Sequence, residues 1–509
     1  MPDGTDSRDT TASDPIPHPI KSFYYPQSTF RSILSLPGQL FFAIAGFLGL
    51  AHYARQIVQI CPRSPAIVKK RTGAAVDLNR WVKENVPSLR GSFVPTWWLP
   101  NGHFQTMYSV VGNFSKIDKI EYKRTYLRVP DGGTLGLDFT PPSYETMPAD
   151  TPTIVVCHGL TGGSHESYVR NILSWVVKPK EEGGMGGRAV VVNFRGCAGV
   201  PVTSPQLYSA GTTIDLSTSL HYIRSILPES PLHGIGFSLG ASVLSRHLGE
   251  TGAQSLLSSG VVLGTPWDLP KMSIKLETHW FISRVYSRAM AGNLLRLVFH
   301  HYDKDPEVFD NPGAPTAPHM ATLKEMRRKG GRRLKEVDQH MVSRFGGPYG
   351  IGLWPFDGAD AYYSWASPKN VINGVKRPLL AINAFDDPII DGVSLPVEEV
   401  TNSSHVYGAI SGGGGHLGWF EGPRARDRWV RKPVSEWFLA AARDLPQAGP
   451  AIETEQGPEE GWGWVKHPAH DIPGVGSAVG GGRGRVGWKV LDQGEIVKGE
   501  EDEGVMQGL

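Results

Sequence analysis

A serine lies between two glycines in the pentapeptide Gly236-Phe237-Ser238-Leu239-Gly240, after a short apolar run and before a segment with helical spacing. A G-x-S-x-G segment between a strand and a helix forms a sharp turn that exposes the serine hydroxyl at the end of a sheet. Glycine at both flanks suits such a turn, because it leaves no side chain against a strained backbone. The pattern therefore predicts that Ser238 is a nucleophile.

His416 and a pair of aspartates supply the other groups that a nucleophilic serine needs. A base must take the serine proton, and a carboxylate must orient that base. Around this kind of turn the three residues occur along the chain in the order serine, acid, histidine. Asp386 and Asp387 follow the apolar run RPLLAINAF, and His416 lies in the glycine-rich segment GGGGHLGWFEG. The sequence predicts a triad of Ser238, His416 and one of these two aspartates.

The residues that follow the two aspartates favour one of them. Asp387 precedes Pro-Ile-Ile, which places it in the turn after a strand, so Asp387 is the predicted acid of the triad. The alternative role, for the aspartate that is not the acid, is a carboxylate that caps or fixes the loop.

Stabilising an oxyanion requires two backbone amides near the serine. One is expected from Leu239, directly after the nucleophile. The second is expected from the loop that follows the run TIVVC, and we assign it to Leu160. His158 begins that loop but precedes the serine in the chain, so we interpret it as a residue that shapes the loop.

Short apolar runs rich in Val, Ile and Leu alternate with helical intervals after about residue 120. Such runs are typical of parallel strands covered by helices on both faces. The expected fold class is therefore α/β, with a mostly parallel central sheet flanked by helices. The runs lie at 153–159, 188–194, 233–237, 260–266 and 377–385, and a hairpin with a Gly-Gly turn is expected at 126–139.

Between about 268 and 350 the strand pattern stops and helical spacing of aromatic and aliphatic residues replaces it. An all-helical insertion at this point of the chain is expected to cover the carboxyl edge of the sheet as a cap. The alternative is a set of additional helices that belong to the core.

Both ends of the chain differ from its centre. Residues 1–32 have the composition of a flexible leader. Residues 33–60 are expected to form either a membrane anchor or a helix that lies at a membrane interface or packs on the body. If 33–51 span, the basic residues that follow place the catalytic domain on the cytosolic side. Residues 90–445 are assigned to the catalytic domain. The tail at 446–509 is rich in Gly, Pro and Glu and is expected to be loosely ordered.

Composition excludes several other classes of protein. The net charge is +2, from 51 basic and 49 acidic residues, so the chain lacks the excess of positive charge that a nucleic-acid partner requires. Three cysteines without CxxC spacing argue against a disulfide framework and a zinc site. No metal or organic cofactor is expected.

The chain resembles the α/β-hydrolase superfamily, and within it the subfamily of membrane-anchored abhydrolases and yeast medium-chain fatty acid ethyl ester synthase/esterases. The resemblance covers about 90–440, and its motifs occur in the family's order. They are WWLPNGHFQT, HGLTGGSHESYVR, NFRGCAGVPVTSPQLYSAGTTIDL, GFSLGASVL, LKEVDQHMVSRFGG, Tyr362-Tyr363, AINAFDDP and GGGGHLGWFEG.

This resemblance implies the same triad of Ser238, Asp387 and His416, with esterase or acyltransferase activity on medium-chain acylglycerols, ethyl esters or phospholipids. The expected partners are an acyl ester or lipid substrate and a membrane or lipid-droplet surface. The alternatives are a phospholipase A-type lipase, an amidase or protease on the same scaffold, and a catalytically silent scaffold.

Overall fold

The computed structural model describes residues 56–348, 354–390, 392, 395–449, 452, 455–456, 460–466 and 485–498. The apolar segment at 33–51 and the leader at 1–32 lie outside the described residues. Among the residues that are described, no helix is long and apolar enough to cross a membrane.

The described strands are β1 (Ile57–Ile60), β2 (Ile67–Lys69), β3 (Ala75–Asp77), β4 (Glu121–Arg128), β5 (Thr134–Thr140), β6 (Thr153–Cys157), β7 (Arg188–Asn193), β8 (Leu232–Phe237), β9 (Leu257–Leu263), β10 (Leu379–Ala384), β11 (Val406–Ser411), β12 (Phe420–Glu421), β13 (Asp427–Arg428), β14 (Glu455–Gln456), β15 (Trp462–Lys466) and β16 (Arg485–Lys498). 

The described α-helices are α1 (Leu78–Asn85), α2 (Gly102–Val111), α3 (Ser167–Val176), α4 (Ile214–Ile226), α5 (Leu239–Thr251), α6 (Leu269–Thr278), α7 (Trp280–Ile282), α8 (Arg288–Tyr302), α9 (Glu307–Asp310), α10 (Ala317–Lys329), α11 (Leu334–His340), α12 (Val342–Phe345), α13 (Ala359–Ala366), α14 (Val397–Asn402) and α15 (Arg431–Asp444). A π-helical turn, Ser283–Ser287, joins α7 to α8.

One large sheet has the strand order β1-β11-β10-β9-β8-β6-β7-β5-β4-β16-β15-β14. Its central strands, from β7 through β6, β8, β9 and β10 to β11, pair in parallel. The strands on both sides of this centre pair antiparallel. The expected α/β class, with a mostly parallel central sheet, is confirmed.

The central strands are buried on both faces because alternate side chains point to opposite sides. Val155 packs in one apolar cluster and its neighbour Val156 packs in the other. Helices cover both clusters: α5 and α8 contribute to the first, and α3 and α15 to the second. This arrangement explains why each strand appears in the sequence as a continuous apolar run.

The expected hairpin forms between β4 and β5, whose register pairs Lys123 with Phe139 and Arg128 with Thr134. Its turn is closed by the amide of Val129, which donates to Gly133 O at 2.9 Å. The five apolar runs also form strands, β6 to β10, with bounds that differ by up to three residues from those expected.

The helical insertion lies between β9 and β10, as expected, and extends beyond residue 350. Its α-helices run from α6 to α13, which ends at Ala366. Residues of α6, α8 and α11 line the same cavity as Ser238. The insertion therefore lies over the carboxyl edge of the sheet.

Two expectations about the ends of the chain are wrong. Residues 57–60 are not part of a helix: they form β1, which pairs antiparallel with β11. The tail is not loosely ordered at 485–498, where β16 pairs with β15 from Arg485 to Lys489 and with β4 from Lys489 to Lys498. Within β16, Val486 and Trp488 are buried. The high glycine content of the tail made its composition look disordered despite these apolar residues. The sheet therefore extends beyond the assigned catalytic domain at 90–445.

Candidate active site

Ser238 occupies the turn between β8 and α5 in a strained backbone conformation. Its φ is +51° and its ψ is −117°, which a residue with a side chain rarely adopts. A Cβ at Gly236 would lie 2.6 Å from Gly240 O, and one at Gly240 would lie 2.2 Å from Cys157 O. Both glycines are needed because the turn passes this close to neighbouring backbone.

The imidazole of His416 joins Ser238 to Asp387. Its Nε2 lies 2.7 Å from Ser238 Oγ, and its Nδ1 lies 2.8 Å from Asp387 Oδ2. An Nδ1–H that donates to the carboxylate leaves Nε2 as an acceptor for the serine hydroxyl. All three side chains are buried. The arrangement can deprotonate the serine as it attacks an electrophile.

Backbone amides hold the carboxylate of Asp387. Its Oδ1 accepts from the amides of Ile389 at 2.8 Å and Ile390 at 3.0 Å. Because Oδ1 is occupied in this way, Oδ2 is directed to the imidazole. The Pro-Ile-Ile sequence after Asp387 thus contributes through the position of its amides.

Asp386 fixes the backbone of the loop that carries His416. Its Oδ1 accepts from the amide of Gly415 at 2.8 Å, one residue before His416. The two neighbouring aspartates therefore contact two different parts of the same loop, one the backbone and the other the imidazole.

Helix α2 packs against the loop that carries His416. The residue types and spacing near His416 did not indicate this contact. The amide of His416 donates to Thr106 Oγ1 at 2.8 Å, and that hydroxyl donates to Gly102 O at 2.7 Å. A Cβ at Gly102 would lie 1.9 Å from Asp386 O, and one at Gly415 would lie 2.3 Å from Gly102 O. The only advance signal was the motif WWLPNGHFQT, which contains Gly102 and Thr106.

Gln105, in the same motif, holds the far end of the histidine loop. Its Oε1 accepts from the amide of Phe420 at 2.7 Å, and its Nε2 donates to Leu99 O at 2.9 Å. The side chain is buried, so these bonds are shielded from water.

The loop after β6 is held by two tyrosine hydroxyls on either side of Leu160. The amide of Gly159 donates to Tyr168 Oη at 2.9 Å, and that of Thr161 donates to Tyr208 Oη at 2.9 Å. Leu160 and Leu239, from which the two oxyanion amides are expected, line one cavity with Ser238 and His416.

His158 shapes this loop through both ring nitrogens. Nδ1 donates to Gly159 O at 2.7 Å, and Nε2 accepts from the amide of Phe194 at 3.1 Å. Complete burial lowers the pKa of His158 to about 4, so the ring is neutral at physiological pH. These bonds match the interpretation of His158 as a residue that shapes the loop.

The cavity above Ser238 has an empty volume of about 610 Å³, including the part open to solvent. Most of its wall is apolar. The apolar side chains are Leu160, Leu239, Pro266, Leu269, Met272, Met290, Leu294, Leu334, Val342, Ile389 and Ile390. The described residues include no cluster of three or more His, Cys, Asp or Glu side chains that could hold a metal ion.

The cap is joined to the acid loop by Lys275 of α6. Its Nζ donates to Asp387 O at 2.8 Å and to Ile390 O at 3.1 Å. A second contact joins the cap to α2, where His103 Nδ1 lies 3.0 Å from Tyr286 Oη. The cap therefore contacts both segments that position the histidine.

Comparison with known proteins gives consistent matches. Residues 152–304 match the α/β hydrolase fold family. The chain is 28% identical to a monoacylglycerol lipase of Saccharomyces cerevisiae, over 74% of this chain and 88% of that protein. It is 31% identical to an abhydrolase domain-containing protein of Dictyostelium discoideum, over 66% and 79% of the two chains. It is 26% identical to the medium-chain fatty acid ethyl ester synthase/esterase 2 of Saccharomyces cerevisiae, over 71% and 89%.

The matches cover 79% to 89% of the three relatives, and the family match at 152–304 includes Ser238. The chain belongs to the α/β-hydrolase family, in the subfamily of abhydrolases and yeast medium-chain fatty acid ethyl ester synthase/esterases.

Proposed function

We propose that this chain is a serine-dependent carboxylic ester hydrolase that acts on medium-chain acyl esters. The observation that carries the proposal is the continuous hydrogen-bonded chain from Ser238 Oγ through His416 to Asp387, at the wall of an apolar cavity. Relatives that are named as a monoacylglycerol lipase and an ethyl ester synthase/esterase support the same class of reaction.

The proposed reaction has two halves joined by an acyl-enzyme. Ser238 Oγ attacks the ester carbonyl carbon while His416 Nε2 takes the hydroxyl proton, and the amides of Leu239 and Leu160 stabilise the oxyanion. The bond to the alcohol oxygen then breaks, and His416 returns the proton to the leaving alcohol. Water, deprotonated by His416, attacks the acyl-enzyme and releases the carboxylic acid. An alcohol in place of water would give acyl transfer.

We propose that the acyl chain occupies the space between the cap and Ser238. The lining from α6, α8 and α11 is apolar apart from Asp338, and burial of each methylene there contributes about 0.8 kcal/mol. Two relatives whose names refer to acylglycerols and medium-chain esters support an acyl chain of this class.

We also propose that the chain associates with a membrane or lipid surface, with the catalytic domain on its cytosolic side. The basic residues that follow 33–51 support the cytosolic side. The support for lipid contact is an exposed apolar face, which we call the lipid face. Its side chains are between 43% and 71% exposed. They are Phe104, Met107 and Val111 on α2, and Ile274 and Trp280 in the cap.

The two halves of the lipid face are adjacent. Phe104 follows His103, whose ring packs edge-on against Phe281 at 5.3 Å between centroids, and Trp280 precedes Phe281. The guanidinium of Arg284 lies 4.7 Å from the ring centroid of Trp280. Aromatic rings accompanied by cationic side chains are typical of surfaces that contact lipid head groups.

Replacing Ser238 by Ala is expected to abolish ester hydrolysis and labelling by a fluorophosphonate, because no nucleophile remains. Asp387→Asn is expected to lower kcat about 10⁴-fold, since an amide favours the wrong imidazole tautomer. Asp386→Asn is the matched control and should lower kcat far less, because Asp386 Oδ1 accepts from the Gly415 amide and not from the imidazole. Near-normal turnover by purified Ser238→Ala protein, or the reverse ranking of the two aspartates, would contradict the assignment.

Thr106→Val is expected to lower kcat about tenfold with little change in KM, because it removes the acceptor for the His416 amide. Thr251→Val is the matched control, since Thr251 Oγ1 also donates to the carbonyl four residues earlier but lies away from the histidine loop. Kinetics and melting temperatures of both variants decide the matter. Equal losses of kcat in the two variants would show a general effect on stability.

The catalytic efficiency is expected to rise with acyl length, by at most about fourfold per methylene, and to level off once the cavity is filled. Measuring kcat/KM on p-nitrophenyl esters from two to sixteen carbons tests this. Leu294→Trp, which narrows the cavity, should move the optimum to shorter chains. A steady fall from acetate onward would argue against an acyl-binding cavity.

The double variant Phe104→Ser/Trp280→Ser is expected to bind phospholipid vesicles more weakly than the unchanged chain, while its hydrolysis of a soluble ester is kept. Leu439→Ser is the control, because Leu439 is 48% exposed but is not part of the lipid face. Co-sedimentation is measured with and without residues 1–52, so that the contribution of the apolar segment is separated. If the double variant binds as well as the control in both backgrounds, the lipid face is wrong.

A further inference from the structure

Asp338 is a carboxyl group in an otherwise mostly apolar wall. It lies on α11 and lines the same cavity as Ser238 and His416. Around it the cavity is lined by Met290, Leu294 and Val342. The residue is only 5% exposed, so water does not solvate the carboxyl group freely.

Among the residues that the structure describes, only one of the two carboxyl oxygens of Asp338 has a hydrogen-bond partner. Tyr363 Oη donates to Asp338 Oδ2 at 2.6 Å. Among the described residues, Asp338 Oδ1 is buried and has no hydrogen-bond partner. A buried polar atom without a partner destabilises the folded state, and such atoms are therefore rare in proteins. The hydrogen bond from Tyr363 joins α13 to α11 and accounts for the burial of Oδ2. It does not account for the burial of Oδ1.

The protonation state of Asp338 limits which kinds of chemical group could bind to its free oxygen. Burial, with a smaller contribution from nearby Glu277, raises the pKa of Asp338 to about 7. A hydroxyl group can hydrogen-bond to the carboxylate as a donor and to the neutral acid as an acceptor. An ammonium group would be bound well only by the ionised form of Asp338. A hydroxyl therefore suits this position over the whole physiological range of pH.

We propose that Asp338 binds a hydroxyl group of the substrate and makes the enzyme prefer hydroxylated esters over plain ones. The inference rests on the proposed ester hydrolysis and deepens it, since it names a group of the substrate. The hydroxyl belongs either to the alcohol part, as in a monoacylglycerol, or to a hydroxylated acyl chain. Both sources present the same O–H group to Asp338 Oδ1.

The test compares two variants that differ only in the carboxyl group. Tyr363→Phe removes the hydroxyl that donates to Oδ2 and keeps Asp338. Tyr363→Phe/Asp338→Leu removes both partners, so no donor or acceptor is left unpaired by the second change. The substrates are 1-monooctanoylglycerol, ethyl octanoate and ethyl 8-hydroxyoctanoate, which share the length of the acyl chain.

The readout is the ratio of kcat/KM for each hydroxylated ester to that for ethyl octanoate. Loss of Asp338 is expected to lower one of the two ratios at least about tenfold relative to Tyr363→Phe. A fall for the acylglycerol places the hydroxyl on the alcohol part, and a fall for the hydroxyacyl ester places it on the acyl chain. Unchanged ratios in both arms would overturn the proposal.

A binding experiment separates this inference from the proposed catalysis. Ser238→Ala protein with Asp338 intact is titrated with 1-O-octylglycerol and with octyl ethyl ether, which are not esters and cannot be hydrolysed. The glycerol ether is expected to bind at least about tenfold more tightly than octyl ethyl ether. Ser238→Ala protein that also carries Tyr363→Phe/Asp338→Leu should lose this difference. If 8-hydroxyoctyl ethyl ether replaces the glycerol ether as the preferred ligand, the acyl-chain source is supported. Equal binding of all three ethers overturns the proposal, even if wild-type protein hydrolyses every ester.

Discussion

The imidazole of His416 has to reach two partners at once, and most of the fold follows from that requirement. Ser238 Oγ and Asp387 Oδ2 lie within 2.8 Å of its two ring nitrogens. These partners are far apart in the chain and meet because β8, β10 and β11 are parallel, so their carboxyl ends share one edge of the sheet. An antiparallel arrangement of the same strands would place the ends on opposite edges.

The precision of this contact depends on backbone that approaches closely behind the ring. Gly102, Gly415 and the carbonyl of Asp386 pack so tightly that a single Cβ would collide with main-chain oxygen. Two consecutive amides of the histidine loop, those of Gly415 and His416, donate to Asp386 and Thr106 and so fix the position of the loop. A loop rich in glycine would otherwise adopt many conformations. The imidazole of His416 would then be poorly oriented towards Ser238.

Local sequence was sufficient for those parts of the site that are defined by short-range geometry. The turn at Ser238 has its own sequence pattern, and the strand ends could be located to within three residues from apolar runs of five to nine residues. The bond from the His416 amide to Thr106 joins positions 310 residues apart, and no local pattern of either segment contains it. The same is true of β16, whose pairing with β4 depends on an edge that exists only once the rest of the sheet has formed.

Lys275 couples the position of the cap to the position of Asp387. Its ammonium group donates to carbonyls on both sides of the turn whose amides hold Asp387 Oδ1. Any displacement of α6 large enough to open the cavity must therefore either break these bonds or move the acid turn. Because the carboxylate position sets the orientation of the imidazole, the geometry of the proposed base is coupled to the position of the cap. A substrate that contacts both the cap and Ser238 would therefore also favour the position of Asp387 in which the imidazole is correctly oriented.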